Sequence, residues 1–186
     1  MITAMTTPLV ALITAGSAGT GEAAARRFAQ EGMRVVVNYA NNAERAENVV
    51  KDLQALSPLN SDGQTNFCAI RADMGIRSEI IKLVDETVST MGRLDAVFSN
   101  AGWTHFRNFG DLDDNMVEDD WDRCFNMNVK SHLWLMHAAK EHLDKTQGSF
   151  ITTASLAGVV AGGSSLVSPS APNCAITSYR RFISHD

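Results

Sequence analysis

Three glycines raise the first chemical question. Gly16, Gly19 and Gly21 follow directly on the apolar run Leu9–Ile13 and lead into the alanine-rich stretch Gly21–Gln30. A strand that breaks into glycines and then a helix makes a phosphate cradle. Glycine lets the backbone approach a pyrophosphate, and the helix N-terminus offers unpaired N–H groups and the positive end of its dipole. The pattern predicts a nucleotide cofactor. Other chemistry-bearing residues fit their possible sites poorly. Asp111, Asp113 and Asn115 have the spacing of an incipient calcium loop, but Met116 stands where that loop requires glycine. His132, His137 and His142 recur every five residues, so they do not share one metal-binding face of a helix. Cys68, Cys124 and Cys174 are widely separated, with no C-x-x-C, which predicts free thiols in a reducing compartment. No metal site is expected.

The elements that would position these residues alternate between two types. Strands are predicted at Leu9–Ile13, Arg34–Val37, Asn66–Arg71, Leu94–Phe98 and Ser149–Thr153. Helices are predicted at Gly21–Gln30, Ala43–Leu56, Ile76–Met91 and Val117 to about Lys145. Short apolar strands separated by helices call for a parallel sheet covered on both faces. In the last helix, Val117, Trp121, Cys124, Phe125, Asn128, His132, Leu135, Met136, Ala139 and Leu143 follow one face of a 3.6-residue period. Asn128 lies inside that stripe and must find partners if it faces the core. Met127 and Trp134 lie off it, which predicts a second apolar face, open to another element or another subunit.

Composition narrows the class. The 186 residues are enough for one domain with its own core, and 45% hydrophobic with 20% charged residues is ordinary for a soluble globular protein. A net charge of −5 argues against nucleic acid or an anionic membrane as the main partner. No apolar run reaches spanning length, and the N-terminus has no basic n-region, so a cytoplasmic protein is expected.

Four motifs in order carry a resemblance. Thr14-Ala15-Gly16-Ser17-Ala18-Gly19-Thr20-Gly21 resembles the TGxxxGxG turn of the short-chain dehydrogenase/reductase family. Ser99-Asn100-Ala101-Gly102 resembles its NNAG motif. Trp121-Asp122 with Asn126-Met127-Asn128 resembles the helix bearing the family's catalytic asparagine, and Ser149–Gly158 its fifth strand with the catalytic serine. The resemblance spans about residues 8–167. It implies an α/β fold, a Rossmann-type doubly wound parallel sheet, here truncated after the fifth strand. Residues 1–167 would form an incomplete dinucleotide-binding domain and residues 168–186 an irregular tail. It also implies an NAD(P)-dependent oxidoreductase acting on a small-molecule carbonyl or alcohol. Ser155 and Asn128 would be catalytic. Thr14, Gly16, Ser17, Gly19, Gly21, Asp73, Asn100, Ala101 and Gly102 would hold the cofactor. The helix 117–145 would carry a homo-oligomeric contact.

The departures matter as much. Ala15 replaces the first glycine of the turn and is compatible with it if its φ is negative. Ser99 replaces the first asparagine of NNAG. Beyond Ser155 the family places a tyrosine and, four residues later, a lysine that lowers the tyrosine's pKa for proton exchange. Pro169 and Asn173 stand in that register, and neither Tyr39 nor Tyr179 begins a Tyr-xxx-Lys. The expectation is a chain inactive as written, or a non-catalytic nucleotide-binding or interaction protein. The segment Val37–Asn42 has no carboxylate to take the ribose hydroxyls, which leans toward NADP, with NAD second.

Overall fold

The computed structural model describes residues 7–60, 63–108 and 110–155. Five strands form one all-parallel sheet: β1 (Val10–Ile13), β2 (Arg34–Tyr39), β3 (Phe67–Arg71), β4 (Ala96–Ser99) and β5 (Ser149–Thr152). Their spatial order is β3-β2-β1-β4-β5. The chain steps outward from β1 through β2 to β3, then returns to the other side of β1 for β4 and β5. The expected doubly wound order is therefore present, and the direction switches between β1 and β4.

Alternation along the central strands builds two cores. Val10 and Leu12 of β1 and Val36 of β2 point to one face. There they meet Ile80, Leu83 and Val84 of α3 (Arg77–Met91) and Leu135, Ala139 and Leu143 of a later helix. Ile13, Val35 and Val37 point to the other, against Ala25 and Ala29 of α1 (Gly19–Gln30) and Val49 and Leu53 of α2 (Ala43–Leu56). Every side chain of β1 is fully buried, as a central strand covered on both faces requires. Helix ends follow local chemistry: the Asn42 side chain accepts from Arg45 N at 2.8 Å to start α2, and Gly92 ends α3 in the left-handed region at φ 77°.

Three expectations change. The helix predicted over Val117–Lys145 is interrupted. It runs as α4 (Glu118–Phe125), a π-helical turn over Asn126–Lys130, and α5 (Ser131–Thr146). Second, Met127 and Trp134 do not form an open face. Both are partly buried and pack against the core cluster that includes α3. The exposed apolar residues of this helix are Val117, Phe125 and Leu133. Third, β2 runs two residues further than Val37 because Asn38 and Tyr39 keep pairing with Ile70 and Arg71 of β3. Asn38 is 1% exposed. Its Nδ2 donates to the carbonyls of Ala72 (3.0 Å) and Ile70 (3.3 Å), while its Oδ1 accepts from Ala15 N at 3.2 Å.

That buried strut yields a stability test. Asn38→Asp keeps the shape but turns two donated bonds into a carboxylate facing two carbonyl oxygens. An unsatisfied or repelled buried polar group costs about 1–3 kcal/mol, more when charged. The expected outcome is a fall in melting temperature of roughly 5–10 °C at neutral pH. An unchanged melting curve would show that the amide donors are dispensable.

Candidate functional site

The site grows from the point where β1 and β4 part. Beyond that point the two backbones diverge, and the N–H groups of Asn100 and Ala101 lose their ladder partners. The Thr14 hydroxyl takes both, accepting at 2.8 and 3.0 Å. Thr14 is fully buried. Asn100 then reaches across the sheet, its Oδ1 accepting from Thr153 Oγ1 at 3.0 Å beyond β5. Thr153 N in turn donates to Ser99 O at 3.1 Å. The ends of β1, β4 and β5 are thereby tied into one rim.

The glycines of the first turn divide their labour. A Cβ on Gly21 would lie 2.4 Å from Ala15 O and 2.8 Å from Asn100 Nδ2, so this glycine exists to let the two turns touch. A Cβ on Gly16 would press on Ile13 and Val37 at 3.1–3.3 Å, so it packs the turn against the sheet. Gly19 differs: its φ is +55° and nothing lies within 4 Å of a Cβ built there. It opens α1 onto free space. No side chain caps that helix start: the N-cap residue is Ala18, and Glu22 in the first turn pairs with Arg26 at 2.8 Å. An open, uncapped helix N-terminus beside a left-handed glycine fits a phosphate group. Ser17 is buried in the same turn. Ala15 does not meet the expected condition. Its φ is +49°, the left-handed region, and Asn38 holds it there through the Ala15 N bond.

Asp73 closes the strand-end row beyond β3. Its Oδ1 accepts from Gly75 N at 2.8 Å and its N donates to Glu79 at 2.7 Å. Asn126 of the π turn donates to Gly75 O at 2.8 Å. The π turn also brings in Asn128, which is 6% exposed. Asn128 Oδ1 accepts from Trp103 N at 2.8 Å and Nδ2 donates to Trp103 O at 2.7 Å. A regular helix cannot turn four consecutive residues inward. The wider turn lets Asn126, Met127, Asn128 and Val129 all face the protein, and such turns recur at functional sites.

Asn100, Gly102, Trp103, Asn128 and Ser155 line one cavity of about 260 Å³. The structure therefore gathers both expected catalytic residues with the expected residues after β4, whereas Asp73 stands apart beyond β3. Trp103 forms part of the wall, braced by the Arg123 guanidinium 4.7 Å above its ring and by the edge of His105. Trp103 borders the pocket, and His105 pairs with Asp120 at 3.4 Å. The acidic loop is spent on its own structure. Asp114 and Asp120 pair with Arg107, and Asp111 accepts from the backbone of Asp113 and Asp114.

Two wall residues, Thr104 and His132, were not among the expected site residues. Thr104 Oγ1 is the enclosed side-chain polar atom that has no partner among the described residues. His132 lies with its Nδ1 2.6 Å from Ser99 Oγ, and burial pushes its imidazole down to about 4. The substitution of Ser99 in the NNAG-like motif was the available signal, because a serine leaves a hydroxyl that must find a neighbour.

Comparison with known proteins agrees with this geometry. The short chain dehydrogenase family profile matches residues 9–179. A short chain dehydrogenase of Claviceps purpurea is 36% identical over 135 residues, 73% of this chain and 47% of that protein. A protein of Zymoseptoria tritici named "probable tetrahydroxynaphthalene reductase" is 35% identical over 153 residues, 82% of this chain and 53% of that protein. The chain thus spans about half the length of these relatives. Among solved structures, a double mutant of a Serratia marcescens short-chain dehydrogenase/reductase superposes with a TM-score of 0.78 at 28% identity, covering 92% of this chain and 65% of that one.

The buried imidazole gives a pH test. In the unfolded chain it takes a proton near its ordinary value of about 6.5, and in the fold only near 4. Its contribution is complete above pH 6.5 and is lost as the pH falls toward 4, on the order of 3 kcal/mol in full. Unfolding followed from pH 7 to 4 should show stability dropping across that window, and His132→Gln should flatten the drop. The same acid slope in both proteins would assign it to another group.

Proposed function

The chain belongs to the short-chain dehydrogenase/reductase family, and from that premise we propose that it binds a nicotinamide dinucleotide along the strand ends and holds a small carbonyl or alcohol substrate in the cavity beside it. One observation carries the reading: the β1 and β4 turns are locked together by Thr14 at the switch point, with the open left-handed Gly19 at the start of α1. When bound, a nicotinamide supplies or accepts a hydride at the substrate carbon. Gly16, Ser17, Gly19 and Gly21 would shape the pyrophosphate path, while Asn100, Ala101 and Gly102 would border the nicotinamide end and Asp73 the adenine end. Ser155 would hold the reacting oxygen, and Asn128 would hold the Trp103 backbone and support a water-mediated proton relay.

NADP(H) is preferred to NAD(H) in this reading. No carboxylate occurs over Val37–Asn42. Asn38 cannot serve the ribose, because its amide is committed to the sheet and to Ala15. Arg45, exposed in the first turn of α2, is the first cation after that segment in sequence and would take a 2′-phosphate. The substrate class drawn here is a hydroxylated polycyclic aromatic or its keto form. The name of the Zymoseptoria relative and the Trp103 wall support it. A cavity of about 260 Å³ suits one ring system rather than a polymer.

A second reading, dinucleotide binding without turnover, is favoured by the sequence beyond the serine. Pro169 and Asn173 stand in the register of the family's tyrosine and lysine. Both lie outside the described residues, as do Cys174 and Tyr179. Proton transfer from a positioned acid is worth about 10²–10⁴-fold in rate. Among the described cavity residues His132 is the titratable one, and an imidazole that gains its proton only near pH 4 carries no acidic proton at pH 7.

Two measurements divide these readings. Calorimetry on the folded chain should show heat with NADPH and a weaker response with NADH, and Gly19→Leu should abolish both while circular dichroism stays unchanged. No heat with either dinucleotide would defeat the cofactor assignment. NADPH oxidation with a panel of ketones and quinones should stay at background for these 186 residues. Robust turnover, lost on Tyr179→Phe, would show that a proton donor exists where no Tyr-xxx-Lys stands.

A further inference from the structure

His132 occupies a place in the cavity wall that no motif marks. It is 5% exposed and its Nδ1 is held 2.6 Å from Ser99 Oγ. Ser99 is 1% exposed, and its hydroxyl makes no other hydrogen bond among the described residues. A buried hydroxyl has one hydrogen to place, and the ring nitrogen is the acceptor within reach. With Nδ1 accepting, a neutral imidazole must carry its hydrogen on Nε2. Nε2 has no protein partner among the described residues, yet it is not among the enclosed unpartnered atoms, of which Thr104 Oγ1 is the single case. His132 itself lines the cavity.

We propose that His132 is a substrate-contact residue, its tautomer fixed by the Ser99 hydroxyl so that Nε2–H donates to an oxygen of the bound molecule. The contact presupposes the dinucleotide-dependent site proposed above and sharpens its substrate class. If Ser155 takes the reacting oxygen, His132 takes a second oxygen on the same ring system, so the cavity selects compounds with two oxygens over those with one. The donor is neutral at working pH and rigid at both ends, held by Ser99 on β4 and by its own helix α5. A preorganised donor of this kind loses little freedom when it binds.

The test uses the full 186-residue chain saturated with NADPH and the probe 2,7-dihydroxynaphthalene, titrated by its fluorescence. His132→Phe keeps a planar ring and removes both nitrogens. Losing one hydrogen bond should weaken the probe about tenfold and leave NADPH affinity unchanged. His132→Gln puts an amide N–H near the position of Nε2 and should restore affinity to within about threefold. Ser99→Ala frees the tautomer and should give an intermediate loss. 2-Naphthol, with one oxygen, should bind wild type and His132→Phe alike. Equal affinity of the diol for wild type and His132→Phe overturns the contact, as does failure of NADPH-loaded wild type to bind the diol. If His132→Phe does not fold, a His132→Gln variant that folds and binds no better than about a tenth as tightly as wild type overturns it too. A folded wild type that binds no NADPH brings down the dinucleotide reading itself, and this contact with it.

Discussion

The Thr14 hydroxyl is the constraint on which the rest of the site depends. Two neighbouring parallel strands that part company leave backbone N–H groups without ladder partners, and a buried N–H left alone is among the costlier defects a fold can carry. Here one oxygen satisfies two of them, at 2.8 and 3.0 Å. The consequence is geometric. Asn100 is held with its side chain over the first turn and its Oδ1 toward Thr153, and Gly21 must lack a side chain because Asn100 and Ala15 O occupy that space. The cleft at the switch point is therefore fixed by hydrogen bonds on both sides, and it opens where the strand order reverses.

The same device appears twice more, each time with an amide. Asn38 bridges β2, β3 and the first turn. Asn128 pairs both its oxygen and its nitrogen with the backbone of Trp103. Each replaces regular backbone pairing where an element bends away. Each also fixes a segment of the site: Asn38 holds the left-handed Ala15, and Asn128 holds the loop that brings Trp103 to the cavity. Amides suit this work because they donate and accept without charge, whereas a buried carboxylate would need compensation the surroundings lack. The π turn is the geometric cost of the second bridge. It lets Asn126 reach Gly75 and Asn128 reach Trp103 from positions two residues apart.

Much of the frame could be read from pattern. The strands of the centre are uninterrupted apolar runs, and α2 begins at a capping asparagine, so their bounds moved by two residues at most. β2 ran longer because Asn38 and Tyr39 look like turn residues in sequence and become ladder residues only when β3 lies beside them. The break at Asn126–Lys130 was invisible for a related reason. The apolar spacing on either side of it is consistent with one helix, and only the partners of Asn128 reveal the extra residue in the turn. Ala15 shows the limit from the other side. Sequence argues for a negative φ at a non-glycine residue, and a bond from a strand 23 residues away imposes a positive one. Met127 and Trp134 likewise looked like a free face until α3 took its place against them.

These features separate holding from proton transfer. The side chains that line the cavity are amides, hydroxyls, a tryptophan and an imidazole that burial keeps neutral down to about pH 4. Such a set can orient an oxygen-bearing ring by hydrogen bonds and exclude water from around it. Among the described lining residues the hydroxyls and amides give up protons only far above neutral pH, and His132, the titratable one of them, gains its proton only far below. The positions that could change this follow Ser155 in the sequence, where Pro169 and Asn173 offer neither an acid nor a cation to tune one. A Rossmann-type sheet can thus shape its cleft with one set of hydrogen bonds while an acid–base step rests on residues elsewhere in the chain. In this chain the two readings of function part at that step and at no point before it.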